Sequence, residues 1–322
     1  MRAAVNERYG APDVIEIRDL AKPAPGAGEV LVRVCATTVN RTDCGFLRAH
    51  PGMMRLFTGL MRPKRQVLGM DFAGVIEAIG AGVTLFAPGQ HVFGMLRLAE
   101  LGAHAEYVCV PERGYIAEMP AGVSFDEAVV CEGAFYAEAS LRQLGTKRGQ
   151  TILIYGASGA IGTAAVQLAV SMGAEVTAVV ATQHVELARA LGAARVIDYT
   201  AEDFSRIGAK FDCVLDAVGK TTYGRCRRLL KPGGVFAATD MGPGGQTLVL
   251  ALWSWMTGSR RVMTVMPRRI EGFVTYLKAL MERGAFRAVI DRRYSLERIA
   301  DAYRYVELGQ KTGIVVVEVA GA

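Results

Sequence analysis

The chain has 322 residues, which is enough for about two domains. Hydrophobic residues make up 51% and charged residues 21%, a balance that supports sizeable cores and argues against disorder. The formal net charge of +6 is modest and suits either an anionic ligand or a merely solvated basic surface. The six cysteines are scattered without a Cys-x-x-Cys pair, as is typical of reduced thiols in a cytoplasmic protein. We expect no signal peptide and no membrane span, because the longest apolar run, Leu248 to Met256, is short.

Short alternating segments with turn residues between them fill roughly the first 120 residues. The alternating segments include VIEIRDL, EVLVRVCATTVN, GVIEAIG and AEYVCV. Breakers such as KPAPGAGE and FAPGQ lie between them. This pattern predicts a β-rich, barrel-like unit.

From about residue 125 the pattern changes to strands that alternate with helices. TILIYG, EVTAVV, RVIDY, FDCVLDAVG and GGVFAATD are predicted strands, and AIGTAAVQLAVSMG and HVELARALG are predicted helices. Such alternation is typical of a parallel sheet wound through βαβ units. After about residue 268 we expect two helices, RIEGFVTYLKALMERG and LERIADAYRYVELG, and a final strand, GIVVVEV.

A glycine-rich turn separates the first strand of the second part from its first helix. It reads GASGAIG from Gly156 to Gly162, a G-x-G-x-x-G fingerprint with alanine in the first place. Gly159 would let the backbone approach a pyrophosphate, and Gly162 would let the helix pack against the strand. The helix that begins near Ala160 aims free N–H groups and its positive dipole end at the phosphates. Because the motif lies inside a βαβ run, it predicts dinucleotide binding rather than a purely structural turn, with Ser158, Gly159, Ala160 and Ile161 as cofactor-binding residues.

The residues about 20 positions past the glycines bear on the choice of dinucleotide. An NAD site usually has Asp or Glu there, which binds the ribose 2′-OH. This chain has no acid between Val179 and His184. Thr182, Gln183 and His184 instead offer a hydroxyl, an amide and an imidazole, which suit a 2′-phosphate. The pattern favours NADPH as the cofactor, although His184 also suits a surface position at the start of the next helix.

Stretches along almost the whole chain resemble the medium-chain dehydrogenase/reductase superfamily, and most closely its zinc-free quinone oxidoreductase branch. They are PGAGEVLVRVCATTVNRTD, LGMDFAGVIEAIG, FAPGQHVFG, GASGAIGTAAVQLA, LGAARVIDY, FDCVLDAVG and RLLKPGGVF. The resemblance implies an α/β fold, with a Rossmann doubly wound parallel sheet plus a GroES-like β-barrel catalytic domain and a cleft between them. On this basis residues 1–122 and 268–322 form the catalytic domain, and residues 123–267 form the Rossmann NADP-binding domain.

The same resemblance bears on metal binding. Zinc enzymes of the superfamily place their catalytic ligands where this chain has Asn40, Met70 and Cys131. A catalytic zinc ion needs three protein ligands, and only Cys131 would serve. Nothing between residues 85 and 115 supplies the clustered cysteines of a structural zinc site. We therefore expect no metal.

Without a Lewis acid, an already electrophilic acceptor is reduced more easily than an alcohol is oxidised. The resemblance therefore implies reduction of quinones or α,β-unsaturated carbonyls by direct hydride transfer. It places the stretch from Val39 to Asp43 beside the nicotinamide, where Asn40 either donates to a substrate carbonyl, fixes the carboxamide or caps a turn. We expect Asp43 to hold this loop rather than to move a proton. In CEGAFYAEASL, Tyr136 either returns a proton or packs a helix.

Further cofactor contacts follow from the resemblance alone. Tyr199, at the end of its predicted strand, matches the position beside the adenosine 2′-phosphate. The stretches DAVG and ATDMG match the ribose and nicotinamide side, which assigns Ala217, Gly219, Thr239, Asp240 and Met241 to the cofactor.

The last predicted strand of the parallel sheet is RVMTVMP, after a predicted loop, GPGGQTLVLALWSWMTGS. As an edge strand with apolar residues on both faces it favours pairing with a second copy, and the resemblance implies a homodimer through this Rossmann edge strand. The expected partner is otherwise a small-molecule electrophilic acceptor. The basic clusters RPKR, RRV and PRR lack interleaved aromatic residues, so no nucleic acid and no membrane partner is expected. Two alternatives stay open: a zinc-independent NADP-linked alcohol dehydrogenase, and a non-catalytic NADPH-binding interaction protein.

Overall fold

The computed structural model describes residues 1–259, 261–265 and 270–319. In chain order its strands are β1 (Arg2–Val5), β2 (Glu16–Asp19), β3 (Glu29–Val39), β4 (Asp71–Ile79), β5 (His91–Met95), β6 (Tyr107–Pro111), β7 (Tyr115–Glu118), β8 (Thr151–Tyr155), β9 (Glu175–Val180), β10 (Arg195–Asp198), β11 (Phe211–Asp216), β12 (Leu230–Ala238), β13 (Val262–Thr264), β14 (Ile290–Ser295) and β15 (Ile314–Glu318). Its α-helices are α1 (Arg41–Arg48), α2 (Arg55–Thr58), α3 (Phe125–Ala128), α4 (Cys131–Leu144), α5 (Ala160–Ser171), α6 (Val185–Ala190), α7 (Tyr223–Cys226), α8 (Gln246–Met256), α9 (Phe273–Glu282) and α10 (Ile299–Glu307).

These elements form two compact units. The first comprises Met1–Glu132 and Gly272–Ala322, and the second comprises Gly133–Glu271. Both boundaries lie later in the chain than residues 122 and 268, where the sequence suggested them. The first boundary is later because the short helix α3 packs against β3, β4 and β5 and so belongs to the first unit.

The first unit is organised around β3, which is long and buried along most of its length. One edge of β3 pairs antiparallel with β4, and its other edge pairs with β6 near its start and with β15 near its end. The strand has three neighbours because it is 11 residues long, so that β6 and β15 pair with different parts of the same edge. Its register with β4 shifts twice, and such irregularities bend a strand. The remaining strands extend the sheet in the order β14-β15-β3-β4-β5-β7. The strand therefore runs through the core and delivers Asn40 to the start of α1.

The second unit contains a six-stranded parallel sheet in the order β10-β9-β8-β11-β12-β13. Its central strands are almost wholly apolar and buried, as is typical of parallel strands covered on both faces. The strand order reverses between β8 and β11, which is the switch point of a doubly wound sheet. This arrangement confirms the α/β fold that the alternating pattern predicted.

The edge of this sheet differs in part from the prediction. Of the predicted strand RVMTVMP, β13 covers Val262–Thr264, and residues 266 and 267 lie outside the described residues. The stretch before it was predicted as a loop, which is wrong: most of it forms α8. The prediction missed that this apolar run has no helix-breaking residue after Gly245.

Most of the large apolar side chains of helix α8 are exposed to solvent. Its inner face uses Thr247 and Ser254, which are buried, and Leu250 and Ala251, which pack against the core of the unit. The outer face consists of large apolar side chains exposed to solvent: Leu248, Val249, Leu252, Trp253, Trp255 and Met256. Within the residues described, no helix combines the length and the apolar character needed to cross a membrane.

We predict that Gly162→Ala destabilises the protein, because the added Cβ would lie 2.1 Å from the carbonyl oxygen of Gly156. Helix α5 would have to move away from the turn after β8, and overpacking of this kind costs about 1 to 3 kcal/mol. Gly159→Ala is the matched control, since its Cβ would meet nothing closer than 3.8 Å and its φ of −78° suits alanine. Thermal unfolding should show a clearly lower Tm for the first variant only. Equal Tm values for the two variants would contradict this packing argument.

Candidate functional site

A buried polar cluster lies where β3 ends and β4 begins in the first unit. Asp71, the first residue of β4, is fully buried. Its Oδ2 accepts a hydrogen bond of 2.8 Å from the Thr38 hydroxyl, and its Oδ1 accepts one of 2.7 Å from the backbone N–H of Glu132. The cluster thereby links β3, β4 and the first residues of α4.

Asn40 occupies the N-cap position of α1 inside this cluster. Its Nδ2 donates to Thr38 Oγ1 at 2.9 Å and to Glu132 Oε2 at 2.8 Å, which engages both amide hydrogens. Donation to a substrate carbonyl would require the side chain to release one of these partners. The structure thus shows Asn40 as a structural cap, and its catalytic role stays a prediction.

Asp43 ties the start of α1 to the chain before β4. Its Oδ2 accepts the backbone N–H of Asn40 at 2.8 Å, and its Oδ1 accepts the backbone N–H of Gly69 at 3.2 Å. Both contacts hold backbone segments in place. They agree with the expectation that Asp43 holds the loop.

Burial changes the protonation behaviour of this cluster. It raises the pKa of Asp43 to about 7, of Asp71 to about 8 and of Glu132 to about 7, and the negative charges of the neighbouring carboxylates add to the effect. Burial also lowers the pKa of Lys311 to about 8, against the attraction of Glu132 and the other nearby anions. The cluster therefore exchanges protons near neutral pH rather than in the usual acidic range.

The side chains around this cluster do not fit a zinc ion. No group of three or more His, Cys, Asp or Glu side chains within the described residues is placed to hold a metal. The ring of His104 is held on both sides, by the carbonyl of Thr38 at 2.8 Å and the hydroxyl of Tyr303 at 3.2 Å. The thiol of Cys131 is buried, which raises its pKa well above the usual range and disfavours the thiolate that a metal needs.

In the second unit, the glycine turn between β8 and α5 is tightly constrained. Gly156 has a φ of +76°, and a Cβ there would lie 2.6 Å from a methyl group of Val218. Gly159 is the N-cap of α5, and a Cβ there would make only ordinary van der Waals contacts, with nothing closer than 3.8 Å. The turn therefore leads directly into the first backbone N–H groups of the helix, the kind of position where an anion such as a pyrophosphate binds.

The carboxyl edge of the parallel sheet brings the predicted cofactor residues together. Asp216 closes β11 and accepts backbone N–H groups from Val218, Gly219 and Thr221 at 2.8 to 3.0 Å. Gly219 in turn approaches Asp240, because a Cβ there would lie 2.6 Å from the Asp240 Cβ. Each predicted residue follows the end of a strand: Ser158, Gly159, Ala160 and Ile161 after β8, Thr182, Gln183 and His184 after β9, Tyr199 after β10, Ala217 and Gly219 after β11, and Thr239, Asp240 and Met241 after β12.

The end of β10 also supplies a residue to this edge that the sequence did not suggest. Asp198 accepts a 2.6 Å hydrogen bond from the hydroxyl of Thr182. Tyr199 beside it is exposed, and its ring centroid lies 6.2 Å from that of Tyr155. In the sequence, an acidic residue was expected only after β9. Because β10 runs parallel to β9, its last residue, Asp198, lies at the same edge of the sheet.

Tyr136 lies in α4, in the second unit, and is partly buried. Its ring makes an edge contact with Phe135, with centroids 6.1 Å apart. This contact agrees with the helix-packing alternative, and proton donation by Tyr136 stays a prediction. Asn40, the other predicted catalytic residue, belongs to the first unit.

Comparisons with known families match both units. The Alcohol dehydrogenase GroES-like domain family matches residues 26–121, and the Zinc-binding dehydrogenase family matches residues 191–317. The chain is 31% identical to the 2-methylene-furan-3-one reductase of Solanum lycopersicum, across 98% of this chain and 79% of that protein. It is 29% identical to the chloroplastic NADPH-dependent alkenal/one oxidoreductase of Arabidopsis thaliana, with the same coverage of 98% and 79%.

Among solved structures, the quinone oxidoreductase from Coxiella burnetii is similar over 99% of both chains, with a TM-score of 0.87 and 26% identity. The family matches, the coverage of the relatives and this structural similarity agree with the motifs quoted above. The chain belongs to the medium-chain dehydrogenase/reductase superfamily, in its quinone oxidoreductase-like branch.

Proposed function

We propose that the protein reduces quinones or α,β-unsaturated carbonyls by direct hydride transfer from NADPH. The observation that carries the proposal is the tightly packed glycine turn between β8 and α5, which lies at the switch point of the parallel sheet and leads into the N-terminus of α5. The relatives named as an alkenal/one oxidoreductase and a quinone oxidoreductase support this acceptor class. When bound, NADPH supplies the hydride, and the protein supplies position and a dry site.

The residues of this chain have separate tasks in the proposed reaction. The first N–H groups of α5, from Ala160 and Ile161, bind the pyrophosphate. Asn40 holds the acceptor oxygen or the nicotinamide amide in line, and Tyr136 or water returns the proton to the reduced acceptor. Asn40 and Met70 stand at positions of zinc ligands, so the chain offers no Lewis acid to deprotonate an alcohol. Conjugated acceptors do not need a Lewis acid, because they are already electrophilic.

The decisive experiment follows NADPH oxidation with a panel of quinones, enones, aldehydes, ketones and, in reverse, simple alcohols. We expect the quinones and enones to react far faster than the alcohols, before and after dialysis against a strong chelator. Vigorous alcohol oxidation with inert quinones would establish the NADP-linked alcohol dehydrogenase instead. Tight NADPH binding without turnover of any acceptor would indicate the non-catalytic alternative, and loss of activity on chelation would refute zinc independence.

Asn40→Ala is the informative variant in the same assay. If Asn40 acts in the transition state, kcat and kcat/KM should fall together by about 10-fold to 1000-fold, the range for one oriented group. Tyr136→Phe should cost little if water is the proton source. If Asn40→Ala changes Tm but not kcat, Asn40 has only the structural role at the N-cap of α1 and no catalytic one.

The preference for NADPH over NADH is a separate part of the proposal. It is supported by the absence of an acid after β9, by the imidazole of His184 and by the NADPH-dependent relative. We predict that NADPH binds at least about tenfold more tightly than NADH, a difference of about 1.4 kcal/mol. His184→Ala should narrow this gap, measured as Kd values by titration. Arg206→Ala, which removes an exposed cation from the same unit, is the control and should leave the gap unchanged.

We also propose that a second copy of the chain covers the edge of β13 and the outer face of α8. An unpaired edge strand and an apolar helix face side by side favour an isologous contact. No nucleic acid or membrane partner is proposed. A cytoplasmic location, supported by the six free cysteines, also remains part of the proposal.

Leu252→Lys tests this assembly, because Leu252 is 56% exposed and a lysine there should not disturb the isolated chain. We expect the parent to sediment as a dimer and the variant as a monomer with an unchanged Tm. Leu308→Lys, at an equally exposed leucine in the first unit, is the control and should stay dimeric. Val265, in the predicted edge strand, is a less suitable position for this lysine substitution. It is only 5% exposed, so a lysine there would disrupt the core. A monomeric parent protein would end the proposal.

A further inference from the structure

Three polar side chains interlock at the carboxyl ends of β9 and β10. Asp198, the last residue of β10, pairs with Val180, the last residue of β9, and this register brings Asp198 beside the loop that follows β9. The Thr182 hydroxyl lies 2.6 Å from Asp198 Oδ2, and the Thr200 hydroxyl lies 2.6 Å from Asp198 Oδ1. The two hydroxyl oxygens are 2.8 Å apart. The backbone N–H of Thr200 adds a third contact to the Asp198 carboxylate, at 2.9 Å.

The hydrogens of this cluster decide what it can offer a ligand. Two threonine hydroxyls carry two hydrogens, and the three contacts between Thr182, Thr200 and Asp198 use both of them. Neither hydroxyl can then donate to a phosphate oxygen without leaving its present partner. The hydroxyl oxygens of Thr182 and Thr200 still have free lone pairs. These can accept a hydrogen bond from a hydroxyl group such as that of a ribose.

The charge of the cluster acts in the same direction. The hydrogen bonds from Thr182 and Thr200 lower the pKa of Asp198, so this carboxylate is negative throughout the neutral range. Tyr199, which follows it directly, is half exposed, so the cluster lies at the surface of the carboxyl edge. A doubly charged phosphate placed there would meet a negative charge and no available hydroxyl donor.

We propose that Asp198 is a specificity-determining residue that limits the preference of this protein for NADPH. It turns Thr182 and Thr200 into acceptors that suit a free ribose 2′-OH, and it places a negative charge beside any 2′-phosphate. His184, on the same loop as Thr182, acts in the opposite direction. The inference rests on the proposed function in one respect, namely that this edge binds the adenosine ribose. The protein therefore also binds NADH to a useful extent.

Asp198→Asn is the direct test, since it keeps the size of the side chain and replaces the charge by an amide that can donate. The Kd for NADPH should fall by about three- to tenfold at low salt, the range for removing one screened charge near a phosphate. The Kd for NADH should stay the same or rise, because the carboxylate no longer holds Thr182 and Thr200 as acceptors for the ribose hydroxyl. The change for NADPH should shrink at high salt. Fluorescence titration of each dinucleotide measures these constants without any acceptor.

Asp203→Asn is the matched control, because Asp203 is an aspartate of the same unit that likewise accepts a backbone N–H and a hydroxyl, both from Ser205. It should change neither Kd. Asp198→Ser provides a second removal of the charge, in case the amide rearranges the loop. A Kd ratio unchanged in both Asp198 variants would overturn the role of Asp198. Failure of the parent protein to bind either dinucleotide would instead overturn the proposed function, so the two failures are distinguishable.

Discussion

The contact between Gly162 and the carbonyl of Gly156 determines where the second unit can bind a ligand. Helix α5 lies so close to the turn after β8 that a single methyl group does not fit between them. This closeness places the first turn of α5 at the carboxyl end of β8, where the strand order reverses. The loops after the neighbouring strands end at the same edge, so one packing constraint sets the position of the whole candidate cofactor site.

In the first unit, the equivalent constraint is electrostatic. Three buried carboxyl groups and an amide are costly unless each is hydrogen-bonded, and here each accepts or donates within the cluster. Asn40 connects three elements. Its side chain donates to Thr38 on β3 and to Glu132 on α4, and its backbone N–H donates to Asp43 on α1. The hydrogen bonds of the cluster thus hold the end of β3, the start of α1 and the start of β4 together.

The local patterns of the sequence were enough for the parallel sheet, the glycine turn and the loops of the carboxyl edge, because these depend on short-range periodicity. The contact between Asn40 and Glu132 was not predictable, since the two residues are 92 positions apart in the chain. His104 and Tyr303 are 199 residues apart. Asp198 was missed for a related reason: its neighbour Thr182 follows another strand, β9, and strand register is not visible in one sequence. Helix α8 was not predicted because its apolar run follows glycines that are typical of a loop.

In the proposed cofactor site, the choice between the two dinucleotides follows from opposed contributions of His184, after β9, and Asp198, at the end of β10. An affinity ratio is a difference between two binding free energies, so a modest repulsion matters as much as a modest attraction. The imidazole of His184 favours the phosphate, whereas the carboxylate of Asp198 opposes it and leaves Thr182 able only to accept. Both groups are surface features, and salt screens their effects on a charged ligand but not the hydrogen bond to a neutral ribose hydroxyl. Rising ionic strength should therefore move the site toward whatever preference its hydrogen-bond acceptors alone impose.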